Sequence, residues 1–292
     1  MERIGKFVIH RAAVTTGYAH VFFCQDPDLV VPVAVKLFDP RRLELGPISP
    51  AQLMTRFVAE ARALASFDHP YIVAVKTLDQ LPDGRPFYVM PYMGAHLPFE
   101  IGKDDPEDLS DADRPRKLPL GRALVILKQL SSALSALHRR GMVHRWVKPS
   151  NILLSGRENG AVKLADFSMV KFPDRNLALP DIWVGGFEYC APEQRANATA
   201  VGPEADIFSV GVLAYRILTG RLPDLEAGPA LLPEGEHPAQ LVNLVRLATD
   251  PDPTRRPPHA AALLQLLDGV PLPQPPRPVV QVVRRPPAKT EG

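Results

Sequence analysis

Along this chain the spacing of apolar residues switches between a period of two and a helical period, and the switches mark its elements. Phe7–His10 and His20–Cys24 read as short strands, and Val31–Phe38, Val-Pro-Val-Ala-Val-Lys-Leu-Phe, as a stronger one. Alternate residues of a strand share a face, so Ala34 and Lys36 are expected to point together, with Val33, Val35 and Leu37 on the other side. Ser49-Pro50-Ala51-Gln52 has the form of a capping box with proline at the first helical position, and Leu53, Phe57 and Leu64 follow at helical spacing. Glu60 falls on that same apolar stripe. Strands are expected again over Ile72–Thr77 and Pro86–Met90. A long helix, Leu120–Arg139, carries Leu124, Leu127, Leu130, Leu134 and Leu137 on one face and is stopped by Gly141. Ile152–Leu154 and Val162–Ala165 read as strands joined through Asn159-Gly160, and Glu204–Leu218 as a nearly all-apolar helix ending at Gly220. Strands concentrated early and helices late predict an α+β chain, and 292 residues suffice for two packed lobes.

Composition adds mainly exclusions. With 46% apolar residues, 23% charged residues and a net charge of +2, there is no electrostatic case for nucleic acid or an anionic membrane as partner. Cys24 and Cys190 lie far apart without metal-ligand spacing and read as thiols in a reducing compartment. Met1–His10 lacks the apolar core of a signal peptide, and no uninterrupted apolar run is long enough to span a bilayer, so a cytoplasmic location without membrane insertion is expected. The 33 prolines are uneven. Residues 271–292 are too proline-rich to bury a core and read as an extended tail or linker rather than a ligand for a proline-binding domain. Pro98–Leu118, with a cluster of six acids from Asp104 to Asp113 followed by Arg114, Arg116 and Lys117, reads as a solvated insertion. The expected division is a first lobe over 1–93, a second over 94–270 and the tail.

Candidate chemistry begins with Lys36. A lysine inside so apolar a strand either emerges at an edge or finds an anion. A carboxylate on the buried face of a helix is costly unless paired, so Glu60 is the natural anion. Further on, His144-Arg145-Trp146-Val147-Lys148-Pro149-Ser150-Asn151 precedes one strand and Asp166-Phe167-Ser168 ends the next. Ala191-Pro192-Glu193, Asp206 and Asp252-Pro253-Thr254-Arg255-Arg256-Pro257 follow in order.

These segments together, from Phe7 to Leu267, resemble eukaryotic-type protein kinases, with loops closest in style to the bacterial serine/threonine enzymes. The resemblance implies a small β-rich lobe with one helix, a larger helical lobe, and ATP with Mg2+ in the cleft between them. It implies a Lys36–Glu60 pair that positions phosphates, and a nucleotide site drawn from Ala34, Lys36, Glu60, Met93, Lys148, Asn151 and Asp166. Asn151 and Asp166 would be the metal ligands. Met90-Pro91-Tyr92-Met93-Gly94 resembles the hinge, where Pro91 keeps its carbonyl and Met93 its N–H donor; Met90 is either the residue beside the base or plain core. Asp206 resembles the buried aspartate that braces the catalytic loop, and Arg256 with Glu193 a structural ion pair.

Five departures bear on activity. Trp146 stands where the family has the aspartate that accepts the substrate proton, and an indole has no acceptor lone pair. The glycine positions of the phosphate loop are Val14, Thr16 and Ala19, with only Gly17 nearby, so clamping of phosphate is expected to be weak. Ser168 replaces a glycine whose torsions serine tolerates less well. Between Met169 and Glu193 there is no serine or threonine, leaving Tyr189 as the single phosphorylatable residue, and Val184-Gly185-Gly186 lacks the threonine that would orient a base. The expectation from these is a pseudokinase: no catalytic residue, no enzymatic activity, and a signalling scaffold that binds an unidentified protein partner. The alternative is a weakly active or non-standard ATP-dependent Ser/Thr protein kinase. A general base contributes roughly a hundred- to ten-thousand-fold, so its loss leaves positioning and metal electrostatics in place.

Overall fold

The computed structural model describes residues 2–15, 18–40, 48–104, 110–111, 113–156, 160–177 and 187–272. The first lobe is an antiparallel sheet of six strands: β1 (Arg3–Ile4), β2 (Phe7–Thr15), β3 (Ala19–Asp26), β4 (Val31–Phe38), β5 (Thr77–Gln80) and β6 (Pro86–Pro91). Their order across the sheet is β1-β2-β3-β4-β6-β5. β4, flanked on both sides, is thereby central. Its pleat does what alternation predicts: Val33, Val35 and Leu37 join Phe7, Cys24, Phe87 and Val89 in a cluster on the outer face. Lys36 points the other way, toward α1 (Pro50–Ala65) and the cleft.

α1 begins as its sequence dictates. The Ser49 side chain accepts from the Gln52 N–H, and the Gln52 side chain accepts from the Ser49 N–H. Leu53, Phe57, Glu60, Ala61 and Leu64 face inward, where Phe57 meets Phe38 and Tyr88 at ring separations of 5.6 and 5.2 Å. One expected strand is largely absent. Residues 72–76 are not a strand; Ile72 makes a single parallel bridge to Leu164, and the N–H of Val73 donates to the Leu164 carbonyl. Both side chains are buried there, so the apolar run serves as a plug between lobes rather than as a ladder, and β5 starts only at Thr77.

The second lobe follows β7 (Ala95–His96) and α2 (Pro98–Ile101). The expected solvated insertion therefore starts as a helix, with Ile101 fully buried. α3 (Leu120–His138) carries all five expected leucines at no more than 1% exposure, and Gly141 ends the helical run at φ +68°, a torsion that favours glycine. β8 (Ile152–Leu154) and β9 (Val162–Leu164) complete a small sheet with β7. Their turn residue Asn159 lies outside the described residues. α4 (Pro192–Ala196) leads to α5 (Glu204–Thr219), buried on every side from Ala205 to Leu218 and capped by Gly220 at φ +79°. α6 (Ala239–Ala248) and α7 (Ala260–Asp268) pack around it. Among the described residues only α3 is long and apolar enough to cross a membrane, and its leucine face is core. The proline-rich stretch from residue 273 onward lies outside the described residues.

Candidate active site in the cleft between the lobes

β4 and α1 bring Lys36 and Glu60 together, and β9 delivers Asp166 to the same point. Lys36 Nζ stands 2.7 Å from Glu60 Oε1 and 3.1 Å from Asp166 Oδ1. Tyr88, opposite Lys36 in the β4–β6 register, donates its hydroxyl to Glu60 Oε1 at 2.9 Å. Two carboxylates thus share one ammonium in a dry setting. Burial alone would lower the lysine's pKa, but Asp166 and Glu60 outweigh it and hold Lys36 well above its ordinary value. Burial opposes the charge on Asp166 as well; the Lys36 ammonium and two hydrogen bonds prevail and its pKa falls below the usual range. Glu60, fully buried and repelled by Asp166, is pushed the other way by desolvation.

Asp166 adopts φ +61°, in the left-handed region, and its carboxylate accepts from the Ser168 N–H. The strain therefore sits on the aspartate. Ser168 has no positive φ, which corrects the expectation that serine is the misfit of this turn. Phe167, fully buried, meets His144 edge-on at 5.4 Å and Phe67 at 6.1 Å.

The loop from His144 to Asn151 is held by its main chain. Asp206 on α5 accepts from the N–H of His144 and of Arg145, each at 2.8 Å, and from His138 Nε2 at 2.8 Å. That brace sustains Arg145 at φ +63°, another strained torsion for a non-glycine residue. His144 donates through Nε2 to the Ala165 carbonyl and accepts at Nδ1 from the Trp146 N–H, an arrangement that fixes one neutral tautomer. Asn151 donates its amide nitrogen to the Trp146 carbonyl at 2.8 Å, leaving the amide oxygen as the end to meet a cation.

These groups border a cavity of about 320 Å³ lined by Ala34, Lys36, Met90, Met93, Asn151 and Asp166, among others. Five of the seven expected nucleotide-site residues line it directly. Glu60 reaches it only through Lys36. Lys148 does not line it: its Nζ lies 4.4 Å from the centroid of the Trp146 indole, a cation–π stack beside the cavity. Burial holds the Lys148 pKa below its ordinary value, against the pull of Asp166 and Glu188. Trp146 likewise does not line the cavity. Val14 lines the cavity and Ala19 is buried, while Thr16 and Gly17 lie outside the described residues.

Two oxygen donors, Asn151 and Asp166, suit Mg2+, which binds through one or two carboxylates plus phosphate and keeps several waters. The depressed pKa of Asp166 and the amide orientation of Asn151 fit such an ion. Among the described residues no group of three or more His, Cys, Asp or Glu side chains is placed to hold a metal by itself.

Sequence reasoning missed the cavity's rim. Arg11, Phe23, Tyr92, His96 and Phe99 border it, with Phe23 and Tyr92 at 4.4 Å between rings. No single periodicity or motif marks the set, because Arg11, Phe23, His96 and Phe99 come from four separate elements and Tyr92 from the hinge-like segment after β6. Tyr189 also changes role: it is 6% exposed, and its hydroxyl donates to Asp104, which in turn pairs with buried Arg216. A buried, hydrogen-bonded phenol is not presented for phosphorylation. The residues Val184, Gly185 and Gly186 lie outside the described residues. The structural pair holds, with Arg256 gripping Glu193 at 2.7 and 2.9 Å.

Residues 16–267 match the protein kinase domain family. The chain belongs to the protein kinase family. The serine/threonine-protein kinase Pkn1 of Myxococcus xanthus is 34% identical over 268 residues, covering 90% of this kinase chain and 34% of that protein. The serine/threonine-protein kinase PknL of Mycobacterium tuberculosis is 35% identical over 221 residues, or 75% of the chain and 50% of the relative. PknA of the same species is 33% identical over 223 residues, 75% and 48% of the two chains. The kinase chain therefore spans between a third and a half of the length of these relatives. The fold and the bacterial serine/threonine family expected from the motifs are those found. The expectation that the chain is not an enzyme is overturned: its relatives are named serine/threonine-protein kinases. Trp146, the glycine-poor loop and the lack of a serine or threonine between Met169 and Glu193, on which that expectation rested, leave the Lys36–Glu60–Asp166 assembly in place.

Proposed function

We propose that this kinase domain transfers the γ-phosphoryl group of ATP to a serine or threonine hydroxyl of a protein, at a rate lowered by the lack of a carboxylate base. The observation that carries the reading is Lys36 Nζ seated between Glu60 Oε1 and Asp166 Oδ1. That geometry supports a role in which the ammonium would orient phosphates and the carboxylate would hold a cation. Bound Mg–ATP supplies the phosphoryl donor and the charge neutralisation. The hinge offers the Pro91 carbonyl and the Met93 N–H to a purine, Lys36 orients phosphates, and Asn151 and Asp166 present oxygens to the cation. In the transfer a bond forms from the acceptor oxygen to phosphorus and the bond to the β-bridging oxygen breaks. The acceptor's proton leaves to a phosphoryl oxygen or to water, since Trp146 cannot receive it. Positioning and electrostatics provide most of the catalysis in such a transfer. The partner so proposed is a protein with an accessible serine or threonine.

The test is transfer of label from γ-labelled ATP to a serine/threonine substrate, run beside thermal melts with and without Mg–ATP. Slow, magnesium-dependent transfer is expected, together with a rise in melting temperature. Both should vanish in Lys36→Ala and Asp166→Ala. Transfer that survives Asp166→Ala, or no transfer at any enzyme concentration, refutes the reading.

A further inference from the structure

One turn before Glu60, α1 carries a buried guanidinium with three backbone carbonyls as its hydrogen-bond acceptors. Arg56 is 2% exposed. Its Nε donates to the Ser168 carbonyl at 3.1 Å, and its terminal nitrogens donate to the carbonyls of Val170 and Leu177. Its guanidinium carbon lies 5.2 Å from the centroid of the Phe172 ring. All four partners belong to residues 168–177, the stretch that directly follows Asp166. Tyr18 adds a hydroxyl donor to the Ser168 carbonyl at 3.5 Å. Desolvation opposes the charge and pulls the Arg56 pKa below its ordinary value. Moving residues 168–177 away would strip those acceptors from a buried cation, an arrangement that costs far more than an exposed one.

Arg56 and Glu60 are four residues apart and so share a face of α1. Fixing the first sets the rotation that points the second at Lys36. The ordinary way to order such a segment is a phosphate on one of its hydroxyls. Here residues 170–192 contain no serine or threonine, and Tyr189 is buried against Asp104. Arg145, buried beside this stretch, donates to the carbonyls of Met169 and Ala198 at 2.6 and 2.8 Å.

We propose that Arg56 is a positioning residue that fastens α1 to residues 168–177 and so holds Glu60 on Lys36 without phosphorylation. Only the nucleotide arm of its test rests on the function proposed above. The full chain, Arg56→Met and Arg56→Lys are compared by amide hydrogen exchange and by calorimetry with a non-hydrolysable ATP analogue and Mg2+, before and after phosphatase treatment. Wild-type amides of Val170, Lys171 and Leu177 should exchange slowly, unchanged by phosphatase. In Arg56→Met, exchange in 168–177 and around Glu60 should quicken by about tenfold or more, with analogue affinity weakened by a similar factor. Amides of α3 and α5 should keep their wild-type rates, which a general loss of stability would not allow. Arg56→Lys, a point donor in place of a fork, should fall between the two. Wild-type exchange in Arg56→Met, wild-type behaviour of Arg56→Lys, or phosphatase-sensitive exchange in the unmutated chain would each overturn the proposal. If Arg56→Met does not fold, the lysine variant and the phosphatase comparison decide. If the wild type binds no analogue, the function proposed above fails while the exchange comparison still decides this one.

Discussion

Restoring an aspartate at position 146 tests the account of the site most directly. The Trp146 main chain makes its own contacts: its N–H donates to His144 and its carbonyl accepts from Asn151. Those bonds do not depend on the side chain, so the loop should keep its shape in Trp146→Asp. Among the contacts described, what is removed is the cation–π contact of the indole with Lys148, worth about 0.5–2 kcal/mol. The new carboxylate faces the same ammonium and replaces part of that attraction. A melting temperature within a few degrees of wild type is therefore expected, at roughly 2–4 °C per kcal/mol for a domain of this size. What is gained is a proton acceptor, worth roughly a hundred- to ten-thousand-fold in rate. The sequence Val184-Gly185-Gly186 lacks the threonine that would orient the new base, so the gain should lie near the lower end, about a hundredfold or 2.7 kcal/mol. The assay is initial-rate transfer from γ-labelled ATP at saturating Mg2+, with Trp146→Asn as control. Asparagine matches aspartate in shape and opens the same space, but it does not take the proton. A rise in the aspartate variant alone supports the reasoning. An equal rise in both means that bulk rather than basicity limits the wild type. No rise in Trp146→Asp with Mg–ATP binding intact refutes the reasoning altogether.

The two carboxylates on Lys36 predict an ordered response to acid. Glu60, raised by burial, takes up a proton above the ordinary glutamate value of 4.5, and a proton there costs no global stability. Asp166, depressed by Lys36, contributes stability that is present above the ordinary aspartate value of 3.8 and lost as pH falls through its lower folded value. Mg–ATP affinity should start to fall in the first step, before the fold weakens, and Glu60→Gln should abolish that step; identical pH profiles for the two proteins count against the assignment. Arg256→Ala leaves Glu193 without the buried partner it grips twice, and should destabilise by about 3–5 kcal/mol. A denaturant midpoint shifted by less than 1 kcal/mol equivalent, at unchanged slope, rules that out.

The sequence by itself determined the elements whose causes are local. The capping box starts α1 at Pro50, β4 runs from Val31 to Phe38, and the alternation within it decides which face carries Lys36. The leucine stripe of α3 was also legible, as was Lys36–Glu60, because a buried charge requires an opposite one, while Asp206 and Arg256–Glu193 were legible through the family resemblance. Tertiary structure decided the rest. An apolar run at 72–76 satisfies both a strand and an interlobe plug, and only the neighbouring Leu164 backbone distinguishes them. Lys148 carries the same charge on phosphate or on indole, and its stacking on Trp146 is seen only in the tertiary structure. Tyr189 and Arg56 have no local pattern at all, since their partners lie 85 and 112 to 121 residues away. Local spacing encodes which side chains share a face, whereas the partner of a buried polar group depends on chain closure over distances that no periodicity records.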